Sequence, residues 1–130
     1  MTPKVVLVVD DSAVMKKLTS AVLESGGYRT VQASDGAAAL GLARDRAIDL
    51  VLTDWTMPTM GGYELICHLR LLPDYADVPI LVLTTETSDA SKTDARRAGA
   101  SGWLCKPIAP EVLLKVVGSL IGHTRPPAHQ

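Results

Sequence analysis

Hydrophobic and polar positions along the chain fall into two alternating kinds of segment. Val5 to Val9, Thr30 to Ala33, Leu50 to Thr53, Ile80 to Leu83 and Gly102 to Cys105 are short and mostly apolar or β-branched, as strands covered on both faces require. Between these runs the apolar residues recur at helical spacing. Ser12 is placed to cap a first helix with Val14, Leu18 and Val22 along one face, and Gly26 is placed to end it. A second helical stretch spans Asp35 to Arg46, and a third aligns Leu65, Ile66, Leu69 and Leu72 ahead of Pro73. The fifth aligns Leu113, Val116, Val117 and Leu120. The fourth differs, because between Ser88 and Ala98 its only apolar residues are alanines. It should bury little surface and be weakly held. Strict alternation of strand and helix predicts an α/β fold: a five-stranded parallel sheet, doubly wound as (βα)5, with right-handed crossovers and helices on both faces.

The polar residues that close the apolar runs supply the candidate chemistry. Asp10 and Asp11 follow the first run, Asp54 the third, Thr84 the fourth and Lys106 the fifth. In sheets of this kind ligands sit outside the carboxyl ends of the strands, so three carboxylates, a hydroxyl and an ammonium should converge. Crowded carboxylates repel unless a cation lies between them, and an all-oxygen ligand set suits Mg²⁺. The combination is suited to phosphoryl transfer, with metal and ammonium offsetting charge on the moving oxygens. Each residue also has a plainer use. Asp10 and Asp11 are placed to cap a helix, Asp54 precedes a turn-rich stretch containing Met57-Pro58 and Gly61-Gly62, and Trp103 fits a core strand. Two adjacent acids beside Ser12, itself able to cap, favour the metal.

Composition excludes several other classes. The chain has 130 residues and 47% hydrophobic content, which suits one compact domain. A net charge of −1 with interleaved signs leaves no basic stretch for nucleic acid. The Val5 to Val9 run is too short for a signal peptide or a membrane span, so a cytoplasmic protein without membrane insertion is expected. Cys67 and Cys105 are expected to be small core residues rather than a disulfide. His68, His123 and His129 lack metal-ligand spacing. The domain is expected to cover 1–124, with 125–130 a disordered tail because Pro126-Pro127 cannot extend a helix. Neither a G-x-G-x-x-G nor a P-loop pattern is present. A phosphatase with an aspartyl nucleophile, of the haloacid-dehalogenase type, wants a second acid two positions on, where Thr56 stands.

The stretches LVVDDS, LTDWTMPTMGG, ILVLTTE and GWLCKP resemble those of two-component receiver domains over Val5 to Ile121. TTETSD followed by AGASGWLCKP is similar to the single-domain chemotaxis response regulators of CheY type. The resemblance implies a flavodoxin-like strand order 2-1-3-4-5, for which that family is itself the standard example. It implies that Asp54 accepts a phosphoryl group from the phosphohistidine of a CheA-like histidine kinase. Asp11 and Asp54 would hold Mg²⁺ together with the backbone carbonyl of Thr56, and Asp10 would act partly through water. Lys106 would contact the phosphoryl oxygens, Thr84 would bond to them through its hydroxyl, and Trp103 would occupy an aromatic switch position. Trp55 is expected at the rim of the acid pocket, and the Lys106-Pro107 bond is expected to be cis. The implied protein is a monomeric signalling switch rather than an enzyme, acting on a flagellar motor switch protein or another response target. A phosphate sink or a phosphorelay intermediate is the alternative.

Overall fold

The computed structural model of the chain describes residues 2–122. Five strands, β1 (Val5–Val9), β2 (Arg29–Ala33), β3 (Leu50–Thr53), β4 (Ile80–Thr84) and β5 (Gly102–Cys105), form one parallel sheet in the order β2-β1-β3-β4-β5. The helices are α1 (Ala13–Ser25), α2 (Gly36–Asp45), α3 (Gly62–Leu71), α4 (Asp89–Ala98) and α5 (Pro110–Ile121), with a single 3₁₀ turn at Pro73–Tyr75 after α3. The expected fold and strand order are therefore those observed. β2 begins one residue earlier than the apolar run, and β4 runs one residue further, through Thr84.

Side chains of successive strand residues point to opposite faces, and this splits the core in two. Leu7, Val9, Val51, Ile80 and Val82 pack with Ala39 and Leu40 of α2, Leu65, Ile66 and Leu69 of α3, and Ala95 of α4. Val6, Val8, Leu50, Leu52, Leu81 and Leu83 pack on the other face with Leu23 of α1 and with Leu113 and Val117 of α5. The central strands β1, β3 and β4 are thus sealed from water on both sides, and only their ends can present a functional group.

Three sequence expectations are corrected. The α1 stripe of Val14 and Leu18 faces solvent, at 67% and 56% exposure. Thr19, Ser20 and Leu23 face inward instead, and the buried Ser20 hydroxyl accepts a hydrogen bond from the Gln32 side-chain amide at 3.0 Å. The buried face of the helix can carry Ser20 because its hydroxyl is paired there. Cys105 is exposed rather than core, because it lies at the end of the edge strand β5. Leu120 is 40% exposed near the end of α5, while Leu113 and Val117 carry the burial. His68 lies exposed, whereas His123, His129 and the expected 125–130 tail with its boundary at 124 lie outside the described residues.

Candidate functional site

Backbone pairing continues one step past the strands and sets the site. The Asp10 N–H donates to the Ala33 carbonyl at 3.1 Å, and the Asp54 N–H donates to the Val9 carbonyl at 2.9 Å. The Lys106 N–H donates to the Thr84 carbonyl at 2.9 Å. These bonds carry the sheet register into the loops, so the three side chains start from fixed positions at one end of the sheet.

The three charged side chains then meet. Lys106 Nζ lies 2.6 Å from Asp10 Oδ2 and 2.8 Å from Asp54 Oδ2. All three side chains are largely buried, at 11%, 8% and 14% exposure for Lys106, Asp10 and Asp54, so these bonds are shielded from solvent screening. Asp10 Oδ1 accepts the Ser12 N–H at 2.9 Å, and Asp54 Oδ1 accepts the Trp55 N–H at 2.6 Å. Burial acts most strongly on the Lys106 ammonium and by itself lowers its pKa. The hydrogen bonds and charges of Asp10 and Asp54 together outweigh it, and the net shift is upward.

Asp11 completes the acid cluster from the exposed side, with one oxygen from each of Asp10, Asp11 and Asp54 lying within 4.8 Å of the others. Among the described residues one ammonium faces three carboxylates, so two negative charges are left there without a partner cation. An all-oxygen set with that residual charge fits a divalent hard cation.

Asp54 is followed by a loop that folds tightly back on itself. The Gly62 N–H donates to the Trp55 carbonyl at 2.8 Å, and a Cβ on Gly62 would lie 2.5 Å from the Asp54 carbonyl oxygen. Only glycine permits that approach, which explains the second glycine of the MGG stretch. Trp55 is half-buried at the rim of the pocket, its ring centroid 6.1 Å from Tyr63 and 5.3 Å from Trp103.

Thr84 joins the cluster through its backbone carbonyl, which accepts the Lys106 N–H, while its hydroxyl bonds elsewhere. It is 2% exposed, and its hydroxyl oxygen accepts the Glu86 N–H at 3.2 Å. Trp103 is half-buried, and its indole N–H is buried with no hydrogen-bond partner among the described residues. It lines a groove of about 310 Å³ between α4 and β5, together with Lys92, Ala95 and Arg96. The Lys106-Pro107 bond is cis, as expected.

Two contributions went unnoticed in the sequence. Arg70 donates to the carbonyls of Gly99, Tyr75, Ala76 and Val78, a role that nothing in a helical arginine betrays. Glu86 bonds across the first turn of α4, and its only sequence sign is an acid two residues ahead of the capping Ser88.

Comparison with known proteins agrees with this geometry. The family model for the response regulator receiver domain matches residues 6–118. The chain is 35% identical over 118 residues to the chemotaxis protein CheY homolog of Campylobacter jejuni, covering 89% of this chain and 91% of that one. Its structure resembles that of the Vibrio cholerae chemotaxis protein CheY4, with a TM-score of 0.88 and 39% identity, covering 92% of this chain and 99% of that one. It also resembles the receiver domain of the Pseudomonas aeruginosa sensor histidine kinase PA1611, with a TM-score of 0.86 and 28% identity, covering 93% and 99%. That structure has a magnesium ion coordinated in its active-site cleft. No helix among the described residues is long and apolar enough to cross a membrane. With the parallel 2-1-3-4-5 sheet, the acid cluster and the lysine joined to it, the chain belongs to the response regulator receiver family, whose members are phosphorylation-activated signalling switches.

Proposed function

We propose that the protein is a cytoplasmic chemotaxis switch in which Asp54 accepts a phosphoryl group from the phosphohistidine of a CheA-like kinase. The observation that carries this reading is the Asp54 carboxylate, fixed at a strand end and bonded to Lys106 inside an acid cluster. An Asp54 oxygen attacks phosphorus in line, the P–N bond breaks, and the histidine imidazole leaves after taking a proton. Lys106 follows the transferred oxygens with its ammonium. Asp11, Asp54 and the Thr56 carbonyl would hold Mg²⁺, with Asp10 acting partly through water. The metal would offset charge on the phosphoryl oxygens.

Thr84 is the sensor in this reading, its hydroxyl turning from the Glu86 N–H toward the new phosphoryl group. Trp103 and α4 change with it, and the groove of Lys92, Arg96 and Trp103 is the face presented to a partner. Two cations and an unpaired indole N–H favour an acidic peptide segment, by analogy that of a flagellar motor switch protein.

Mg²⁺ alone is expected to change Trp55 emission at modest affinity, since Trp55 adjoins Asp54 and this ion usually keeps several waters. Asp11→Ala should remove the response, and a variant that titrates like the parent would place the metal elsewhere. Beryllofluoride, a stable phosphoryl mimic, is expected to raise affinity for a motor-derived acidic peptide by a typical coupling of roughly 5–150-fold. Thr84→Ala should bind the mimic and lose most of that gain. Equal gains in parent and variant would defeat the threonine-coupled switch. No gain in the parent would favour the sink or relay reading.

A further inference from the structure

The two ends of α4 are held by different means. At the C-terminal end the Gly99 carbonyl accepts Arg70 Nε–H at 3.0 Å and Nη2–H at 2.7 Å. The same guanidinium donates through Nη1 to the Tyr75 and Val78 carbonyls, at 2.7 Å each. This end is therefore tied to the connection between α3 and β4, at the opposite end of the sheet from the acid cluster.

At the N-terminal end polar contacts dominate, because Ala95 is the one buried residue of the helix. The Ser88 hydroxyl accepts the Ser91 N–H at 3.0 Å as the helix cap. The Glu86 carboxylate reinforces that cap: Oε2 accepts the Ser91 hydroxyl at 3.1 Å and the Ser88 N–H at 3.4 Å. Those bonds, Ser88 first and Ser91 second, hold the Glu86 carboxyl below its usual pKa, and a helix N-terminus favours an anion. The backbone N–H of the same residue is held by Thr84 Oγ1 at 3.2 Å. One residue thus touches both the buried threonine and the first turn of α4.

We propose that Glu86 is a positioning residue that latches the N-terminal turn of α4 to Thr84. The inference rests on the reading of Thr84 as the phosphoryl sensor and adds the link from sensor to helix. A hydroxyl drawn toward Asp54 withdraws the acceptor from the Glu86 N–H. The loop then shifts, the carboxylate leaves Ser88 and Ser91, and α4 pivots about its Arg70-bound end. Lys92 lies in the first turn and lines the partner groove, so release of the latch reaches the binding face directly.

The test is amide hydrogen exchange over residues 89–98 in the full chain. In metal-free, unphosphorylated protein, Glu86→Ala, Ser91→Ala and Thr84→Val should each speed exchange roughly 2- to 10-fold, the range that loss of one net hydrogen bond gives. Glu86→Gln keeps an accepting oxygen and should retain most of the parent's protection. The Thr84→Val/Glu86→Ala double variant should exchange no faster than the faster single one, as residues in one chain of bonds do. Additive effects, or no effect of Thr84→Val on α4, would overturn the latch. With Mg²⁺ and beryllofluoride the parent should speed up and Glu86→Ala should show no further change. Acceleration by Glu86→Ala that is equal in both states would mean a plain helix cap and would also overturn the proposal. A parent that ignores beryllofluoride would refute the Asp54 and Thr84 reading itself, and the metal-free cycle would still decide whether the latch exists.

Discussion

Asp54→Asn is expected to abolish phosphorylation by a kinase or by acetyl phosphate while leaving the fold intact. Asparagine keeps the size and planarity of the side chain and loses the charged oxygen that attacks phosphorus. Its carbonyl oxygen can still accept the Trp55 N–H, now bonded at 2.6 Å. Lys106 retains Asp10 at 2.6 Å as its partner, and the acid cluster loses one of three mutually repelling charges. Nothing in the core is disturbed, so the melting temperature should stay within about 5 °C of the parent, a shift of the order of 1 kcal/mol for a domain of this size. Phosphoryl incorporation, followed by mass spectrometry after incubation with acetyl phosphate and Mg²⁺, should fall to background. Stoichiometric labelling of the variant at a different residue would sink the assignment of Asp54.

Lys106→Met should produce the largest loss of stability of any single change at the site. Methionine keeps the length of the side chain and removes the cation that, among the described residues, joins Asp10 and Asp54, leaving two largely buried carboxylates to repel. Removing one partner of a fully buried ion pair costs about 3–5 kcal/mol. The cluster opens to solvent through Asp11, so about 2–4 kcal/mol is expected, a substantial part of a typical domain stability. Mg²⁺ should recover part of the deficit, because a cation that binds only the folded cluster stabilises it by mass action. Lys106→Met/Asp54→Asn should also recover part of it, since the repulsion disappears with the charge.

The pH dependence has a definite sign. The Lys106 pKa is raised in the folded protein, so its contribution is complete below the unfolded lysine value of about 10.4 and is lost as pH rises through the higher folded value. The stability difference between parent and Lys106→Met should therefore stay constant through neutral pH and shrink only in strong alkali. Urea unfolding in metal-free buffer, repeated with Mg²⁺ added, checks all of this. A variant as stable as the parent would show that the ammonium contributes nothing to the folded state.

The strands were legible because a parallel sheet buried on both faces demands short unbroken apolar runs, and Val5 to Val9 and Ile80 to Leu83 are such runs. The candidate site was legible for a related reason. When both faces of a strand are sealed, its end is the place left for a polar group, so Asp10 and Asp54 stood out in the sequence, and Lys106, which closes the apolar run of the edge strand, meets them in the structure. The α1 stripe was not legible. Helical periodicity shows that Val14 and Leu18 share a face, and it cannot show which of two stripes meets the sheet. Cys105 misled similarly, since strand membership does not reveal whether the strand lies at an edge.

What the sequence by itself determined is therefore the order of elements and the identity of the groups at the strand ends, both consequences of local patterning. Tertiary structure alone decided which of those groups bond. Lys106 reaches Asp10 across 96 positions of chain and Asp54 across 52, partnerships created by the β1, β3, β4, β5 register rather than by any neighbouring residues. It also decided that Thr84 bonds to the Glu86 N–H and that the Glu86 carboxylate turns back on Ser88 and Ser91. Those bonds depend on the path of one loop and on a helix with a single buried residue, and neither leaves a periodic trace in the chain.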